Sequence, residues 1–150
     1  MADTAIRIAA PSDALALARL RRAFIEERDG EVPDEDFEAR FTRWYESESG
    51  RVTWLAEADG EPVGMMSLAV FERMPRPGRD AGRWGYLGNA LILAAYRNQG
   101  TGTRLLTAVL RHADERGFAR VVLSPSERSV PFYRRAGFGP AGALLLRPGS

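Results

Sequence analysis

Apolar and polar residues alternate through "TAIRIA", which predicts a strand at about residues 4–9. The period then lengthens. In "PSDALALARLRRAFIEER", Leu17, Leu20 and Phe24 fall on one helical face, with Ser12 placed to cap the first turn and Asp13 to complement the positive end of the helix dipole. After "DGEVP", Asp34 is placed to cap a second helix, in which Phe37, Phe41 and Trp44 recur at i, i+4 and i+7 and are expected in the core. "RVTWLAEADGEPVGMMSLAVF" holds two β-type runs around an Asp-Gly turn, a hairpin signature. The proline- and glycine-rich "MPRPGRDAG" reads as a loop and "RWGYLGNALIL" as a third consecutive strand. Leu105, Leu106, Val109, Leu110 and Ala113 mark a helix that begins after Gly100 and is stopped by Gly117. "ARVVLS" reads as a buried strand, "SVPFYRRAG" as a short helix closed by Gly137, and "ALLLR" as a last strand.

The predicted order is β-α-α-β-β-β-α-β-α-β. An antiparallel meander feeding a β-α-β unit makes an α/β (mixed α+β) fold, a mostly antiparallel central sheet flanked by helices. At 150 residues, without repeat, linker or low-complexity tract, the chain is expected to form one domain over 1–150.

Composition narrows the chemistry. Apolar residues make up 45% and charged residues 27%, a globular balance. The absence of cysteine excludes disulfides, zinc-thiolate sites and a cysteine nucleophile, and no metal is expected. All 21 basic residues are arginine, so no lysine is available as Schiff-base former or phosphate hook. No basic leader precedes an apolar stretch at the start, and no apolar run approaches ~20 residues, so a cytoplasmic protein without membrane contact is expected. Net charge is +1, unevenly spread: residues 24–49 carry ten acids against three arginines, and residues 97–135 carry eight arginines against three acids. Two solvated faces of opposite sign would account for this, and so would a polyanion site in the second half with a cation-facing rim in the first. Near-zero net charge and an acidic first half disfavour nucleic acid as a partner.

One short stretch carries candidate chemistry. In "YRNQGTG", residues 96–102, small residues stand where a strand hands over to a helix. The first turn of a helix there presents unpaired N–H groups at its positive end, and small residues let an anion approach them. Arg97 and the hydroxyls of Thr101 and Thr103 are further candidate donors. A P-loop is excluded because it needs a lysine, and a Rossmann fingerprint because Leu105 stands where its third glycine would be. Gly100 and Gly102 alone would be explained equally well by a tight turn.

The wider stretch "YLGNALILAAYRNQGTGTRLL" resembles the core motif of the GCN5-related N-acetyltransferases, the GNAT family. Arg97-Asn98-Gln99-Gly100-Thr101-Gly102 fits the family's [QR]-x-x-G-x-[GA], which wraps the pyrophosphate of acetyl-coenzyme A. The later "SPSERSVPFYRRAGF" resembles its aromatic-tyrosine segment, and the order of elements matches over essentially the whole chain. The resemblance implies that the backbone of Ala90, Leu91 and Ile92 splays from its neighbour and pairs with the pantetheine amides. It implies further that Tyr133 is the general acid facing the thioester sulfur, with Phe132 a core neighbour. Ser126 stands where many relatives carry a cofactor-contacting asparagine.

Acetyl transfer to an amine also needs a neutral nucleophile, and an alkyl amine of pKa ~10.4 is mostly protonated at neutral pH. Many relatives place a glutamate immediately before an asparagine like Asn89, but here that position is Gly88. Glu57, Glu72, Glu26, Glu27 or a water chain remain as alternatives. His112, in the polar "RHADER", is expected to face solvent. The acidic block suits a cationic acceptor, whereas the arginine-rich loop "RMPRPGRDAGR" suits one bearing a carboxylate. The resemblance thus implies an acetyl-CoA-dependent N-acetyltransferase acting on a primary amine of a small molecule or peptide by direct attack. The alternative is an inactive acetyl-CoA-binding sensor or interaction module, which Gly88 favours. A last strand with an open edge would invite a homodimer.

Overall fold

The structure is a computed structural model that describes residues 4–149, so the extreme ends of the expected 1–150 domain lie outside it. The elements are β1 (Thr4–Ile8), α1 (Ala14–Asp29), α2 (Phe37–Ser47), β2 (Arg51–Ala58), β3 (Glu61–Glu72), β4 (Arg83–Ile92), α3 (Thr101–Glu115), β5 (Val121–Val122) and α4 (Val130–Arg135). The sheet runs in the order β1-β2-β3-β4-β5. Its first four strands pair antiparallel, and β5 joins β4 in parallel after the α3 crossover. The β2–β3 reversal follows from Asp59 and Gly60, whose φ of 51° and 81° give the left-handed pair that a two-residue hairpin requires.

Helices cover both faces. Leu17 and Leu20 of α1 pack with Leu55, Met65 and Leu91, and the α2 side chains Phe41 and Tyr45 close over them. Leu105, Leu106 and Val109 of α3 pack on the other face against Trp54, Ala56, Leu68 and Leu87, with Tyr133 of α4. Full burial of side chains such as Leu17, Leu55 and Leu105 stabilises the fold by about 1.5–3 kcal/mol each.

Leu87 and Leu91 lie four residues apart on one strand yet belong to opposite cores. A plain strand, with its period of two, would put them on the same face. Met65 pairs with Leu91 and Ser67 with Gly88, so the single Met66 is opposed by Asn89 and Ala90. β4 therefore carries a bulge at Asn89, which adopts φ 53°. The extra residue exchanges the two faces beyond it.

Several sequence expectations need correction. Asp13, not Ser12, caps the entry to the first helix: its carboxylate accepts the Ala10 N–H at 2.6 Å and is gripped by Arg7 at 2.7 and 2.9 Å. The second helix starts later than expected, with Asp36 as its N-cap. Phe37, Phe41 and Trp44 do not form a closed core, for no α2 residue is buried and Trp44 is 40% exposed. "ARVVLS" contributes only two residues of strand. "ALLLR" forms no strand at all, and Leu145 and Leu146 are 101% and 89% exposed. Only two residues of β4 pair with β5, so little edge is available for a further strand. The edge from which a homodimer was expected is thus not formed by these residues. His112 faces the protein rather than solvent: its ring meets Trp54 edge-on at 5.0 Å, and burial holds its pKa below the ordinary value.

Candidate active site

The β4–β5 pairing stops at Tyr86 and Val122, whereas β4 continues to Ile92. Six residues, Leu87 to Ile92, keep β3 on one side and have no strand on the other. Ala90, Leu91 and Ile92, where a splay is expected, lie within this unpaired run. The Leu91 side chain belongs to the core beneath α1, which leaves its backbone as the part facing the opening.

Immediately beyond, Ala94–Tyr96 form a turn of 3-10 helix, Asn98 and Gly100 take φ of 60° and 84°, and α3 begins at Thr101. The first helical backbone bond runs from the Arg104 N–H to the Gly100 carbonyl at 3.0 Å, and no side chain caps the helix. The N–H groups of Thr101, Gly102 and Thr103 thus have no acceptor among the described residues, and they project from the positive end of a fifteen-residue helix. Gly100 has open space around its missing side chain. Gly102 differs: a Cβ there would lie 3.2 Å from Ile92 Cδ1 and 3.6 Å from the Phe132 ring, so its smallness lets α3 start tightly against β4 and α4. Thr103 is exposed and Thr101 is 3% exposed.

Two side chains of the expected cofactor-binding motif are occupied elsewhere. Arg97 turns back, its Nε donating to the Ile92 carbonyl at 2.9 Å and its Nη2 lying 3.5 Å from Glu27. Gln99 donates its amide to the Ala95 carbonyl at 3.1 Å. Glu27 also accepts the Ala94 N–H at 3.1 Å, so the end of α1 is fastened to the loop that follows β4. These side chains shape the loop.

Tyr133 sits in α4 between Phe132 and Phe138, whose rings meet it edge-on at 5.0 and 5.7 Å. The residue is 8% exposed, and burial raises its pKa above the usual value of 10.0. Its hydroxyl makes no hydrogen bond among the described residues, yet no buried side-chain polar atom is left unpaired, so the hydroxyl reaches accessible space. Such a phenol stays protonated at neutral pH and is free to donate. Ser126 caps the turn Glu127–Ser129 and donates to Ser129 Oγ at 3.0 Å. Among the described residues, no hydrogen bond joins Ser126 to the start of α3.

On the opposite face of the sheet, α1 and α2 roof a cavity of about 210 Å³. Leu17, Arg21, Phe41, Trp44 and Tyr45 line it from above, and Thr53, Met65, Ser67 and Asn89 from the strands. Strand register aligns Thr53, Ser67 and Gly88 across β2, β3 and β4, and the two hydroxyls share a buried hydrogen bond of 3.0 Å. No carboxylate or histidine among the described residues lines the space. Glu57 is held by Arg7 at 2.6 Å, Glu72 lies at the far end of β3 near Arg83, Glu26 accepts the Val32 N–H at 2.8 Å, and Glu27 holds the loop.

The chain matches the model of the acetyltransferase (GNAT) family over residues 17–138. It belongs to that family. Among curated GNAT relatives, it is 32% identical to the glucosamine 6-phosphate N-acetyltransferase of Trypanosoma brucei brucei over 79 residues, covering 53% of this chain and 52% of that protein. It is 30% identical to mouse N-acetyltransferase family 8 member 7 over 110 residues, 69% of this chain and 45% of the other. The chain thus spans about half the length of these relatives. A protein of Clostridium acetobutylicum described as a predicted acetyltransferase, solved with acetyl-CoA, superposes with a TM-score of 0.75 at 23% identity, covering 97% of this chain and 96% of that one. A GCN5-related N-acetyltransferase of Ralstonia eutropha gives 0.71 at 26% identity, with 97% and 98% covered.

Three features of the candidate site escaped sequence reasoning. The Thr53–Ser67 pair becomes visible only through strand register. Arg21 is one of many arginines until α2 closes over it. Tyr86 donates to Ser124 Oγ at 2.9 Å and lays its ring beside Gly88, bridging the point where β4 and β5 part. Its position two residues before Gly88, on the same strand face, was the available signal.

Proposed function

We propose that residues 1–150 form one acetyl-CoA-dependent N-acetyltransferase domain that acts on a primary amine of a small molecule or peptide. The observation that carries this reading is the junction at the end of β4, where an unpaired strand edge runs directly into three unpaired N–H groups at the start of α3. An extended chain of amides ending in a pyrophosphate fits such a junction: the edge of Ala90, Leu91 and Ile92 pairs with the amides, and the N–H groups of Thr101, Gly102 and Thr103 bind the phosphates. Arg97, Asn98, Gln99 and Gly100 hold the loop in shape, and Ser126 lies in the segment between β5 and α4.

Acetyl-CoA supplies the acetyl group as a thioester. The neutral amine nitrogen forms the new C–N bond, the C–S bond breaks with its electron pair on sulfur, and the Tyr133 hydroxyl protonates that sulfur. The surplus proton on nitrogen passes to water, from which Tyr133 is reprotonated. With no carboxylate or histidine among the described residues lining the cavity, the amine has to arrive neutral. kcat/KM is therefore expected to rise with pH until the acceptor's own pKa, and to shift with that pKa across a series of amines.

The carboxylate-free cavity and Gly88 favour a second reading, an acetyl-CoA sensor without turnover. Release of free thiol from acetyl-CoA across a panel of amines separates the two. Turnover with any acceptor supports the transferase, and tight binding without turnover supports the sensor.

A further inference from the structure

Arg21 stands apart from the charges around it. Residues 24–49 are rich in acids, yet six of the ten are already in ion pairs: Glu26 and Glu38 with Arg22, Glu27 with Arg97, Asp29 with Arg28, Asp34 with Arg40 and Glu48 with Arg51. Arg21 is half-buried, lines the cavity between α1, α2 and the sheet, and makes no ion pair or hydrogen bond among the described residues. It also borders a neighbouring recess containing Glu26 and Asp34, but those two are taken by Arg22 and Arg40. A guanidinium in a partly apolar enclosure without a counter-charge is a ready partner for a bidentate oxyanion.

The remaining lining defines the rest of the ligand. Leu17, Phe41, Trp44 and Met65 are apolar, and Trp44 keeps 40% of its surface exposed although it faces a cavity. The polar groups are few and partly spent, for Thr53 and Ser67 bond to each other and the Tyr45 hydroxyl donates to the Ala10 carbonyl at 3.3 Å. A polyhydroxylated sugar would find little to pair with. At about 210 Å³, the space is below the roughly 300–1,000 Å³ of pockets for drug-sized ligands, which points to a small acceptor. Asn89, turned into the cavity by the bulge, places its strand end beside the unpaired run of β4.

We infer that the acceptor is a small amine with an apolar or aromatic body and one carboxylate, an amino acid of hydrophobic type, and that Arg21 is the residue that selects it by pairing with that carboxylate. This rests on the transferase reading for the chemistry but not for the binding. The positive charge of Arg21 also disfavours the ammonium form of a bound amine, which assists a site that has no base.

The test compares thiol release with phenylalanine, with phenethylamine (the same body without the carboxylate) and with glucosamine 6-phosphate, in the parent and in Arg21→Gln. Parent kcat/KM is expected to favour phenylalanine over phenethylamine by about 10- to 100-fold, the scale of a charge-assisted pair. Arg21→Gln should remove that preference while leaving CoA affinity unchanged. Preference for phenethylamine or glucosamine 6-phosphate in the parent, or a preference for phenylalanine that survives Arg21→Gln, would overturn the assignment. Binding of N-acetylphenylalanine, followed through tryptophan fluorescence, gives a readout without turnover. Binding lost in Arg21→Gln upholds the carboxylate site even if no thiol is released, and in that case only the transferase reading fails. Turnover of amines with no binding of N-acetylphenylalanine overturns the carboxylate site alone.

Discussion

At the scale of single residues, Tyr133 and the two glycines of the loop make separable claims. Tyr133→Phe deletes one hydroxyl and keeps the ring between Phe132 and Phe138, so stability and CoA affinity should change little. If the hydroxyl protonates the leaving sulfur, kcat and kcat/KM should fall together by ~10²-fold or more. Burial raises the Tyr133 pKa, so the donor stays protonated across the working range. A thiol of pKa ~8.5 leaves more readily as thiolate at higher pH, and the defect should therefore shrink as pH rises. Full kcat in the variant, with chemistry rate-limiting, would make Tyr133 a packing residue. The glycines should part company. Gly100→Asn places a side chain in open space at φ 84°, a left-handed conformation that asparagine tolerates, so CoA affinity should drop with little loss of stability. Gly102→Val drives methyl groups into Ile92 and Phe132 and should cost about 1–3 kcal/mol in urea unfolding as well. Equal stabilities for the two would contradict these placements.

At the scale of elements, the entry to α1 has its own pH signature. Arg7 donates two hydrogen bonds to Asp13, and these hold the Asp13 pKa down at about 2 against an ordinary 3.8, burial opposing. A depressed carboxyl stabilises the fold above its unfolded pKa, and that stability is lost as pH falls through the folded value. Asp13→Asn should lower the midpoint of thermal unfolding at pH 7 and flatten its decline between about pH 4 and pH 2. An identical acid profile in parent and variant would remove Asp13 from the account. The legibility of the chain divides at this scale too. Strands and helices with sustained periodicity, such as β2, β3 and α3, were plain in the pattern because their burial is one-sided. "ALLLR" was misread because three apolar residues look alike whether or not a neighbour pairs with them, and here no neighbour does. The exposed start of α3 was legible because the backbone supplies its unpaired N–H groups and glycines mark it. The cavity was not, since Thr53, Ser67 and Asn89 meet only through register and a bulge. The aromatics of α2 have the spacing of a core helix, and only tertiary packing reveals that they roof an opening.

At the scale of the whole molecule, α1 is the element both ligands would share. Its middle supplies Leu17 and Arg21 to the cavity, and its last turns place Glu27 on the Ala94 N–H and beside Arg97 in the loop after β4. Whatever steadies that loop steadies the helix, and the converse holds. Two binding events that each order the same helix and loop share that ordering cost, which couples them, and thermodynamic linkage makes their influence mutual. A saturating acceptor should therefore tighten CoA by the same factor by which CoA tightens the acceptor, about five-fold or more if the coupling is of ordinary size. Calorimetric titrations in both orders should return equal factors, and Glu27→Ala, which unfastens the helix from the loop, should bring both towards one. A ratio unchanged in that variant would mean that the carboxylate merely trims a turn. If it falls, one side chain lets a domain of this size sense which of its two guests is already home.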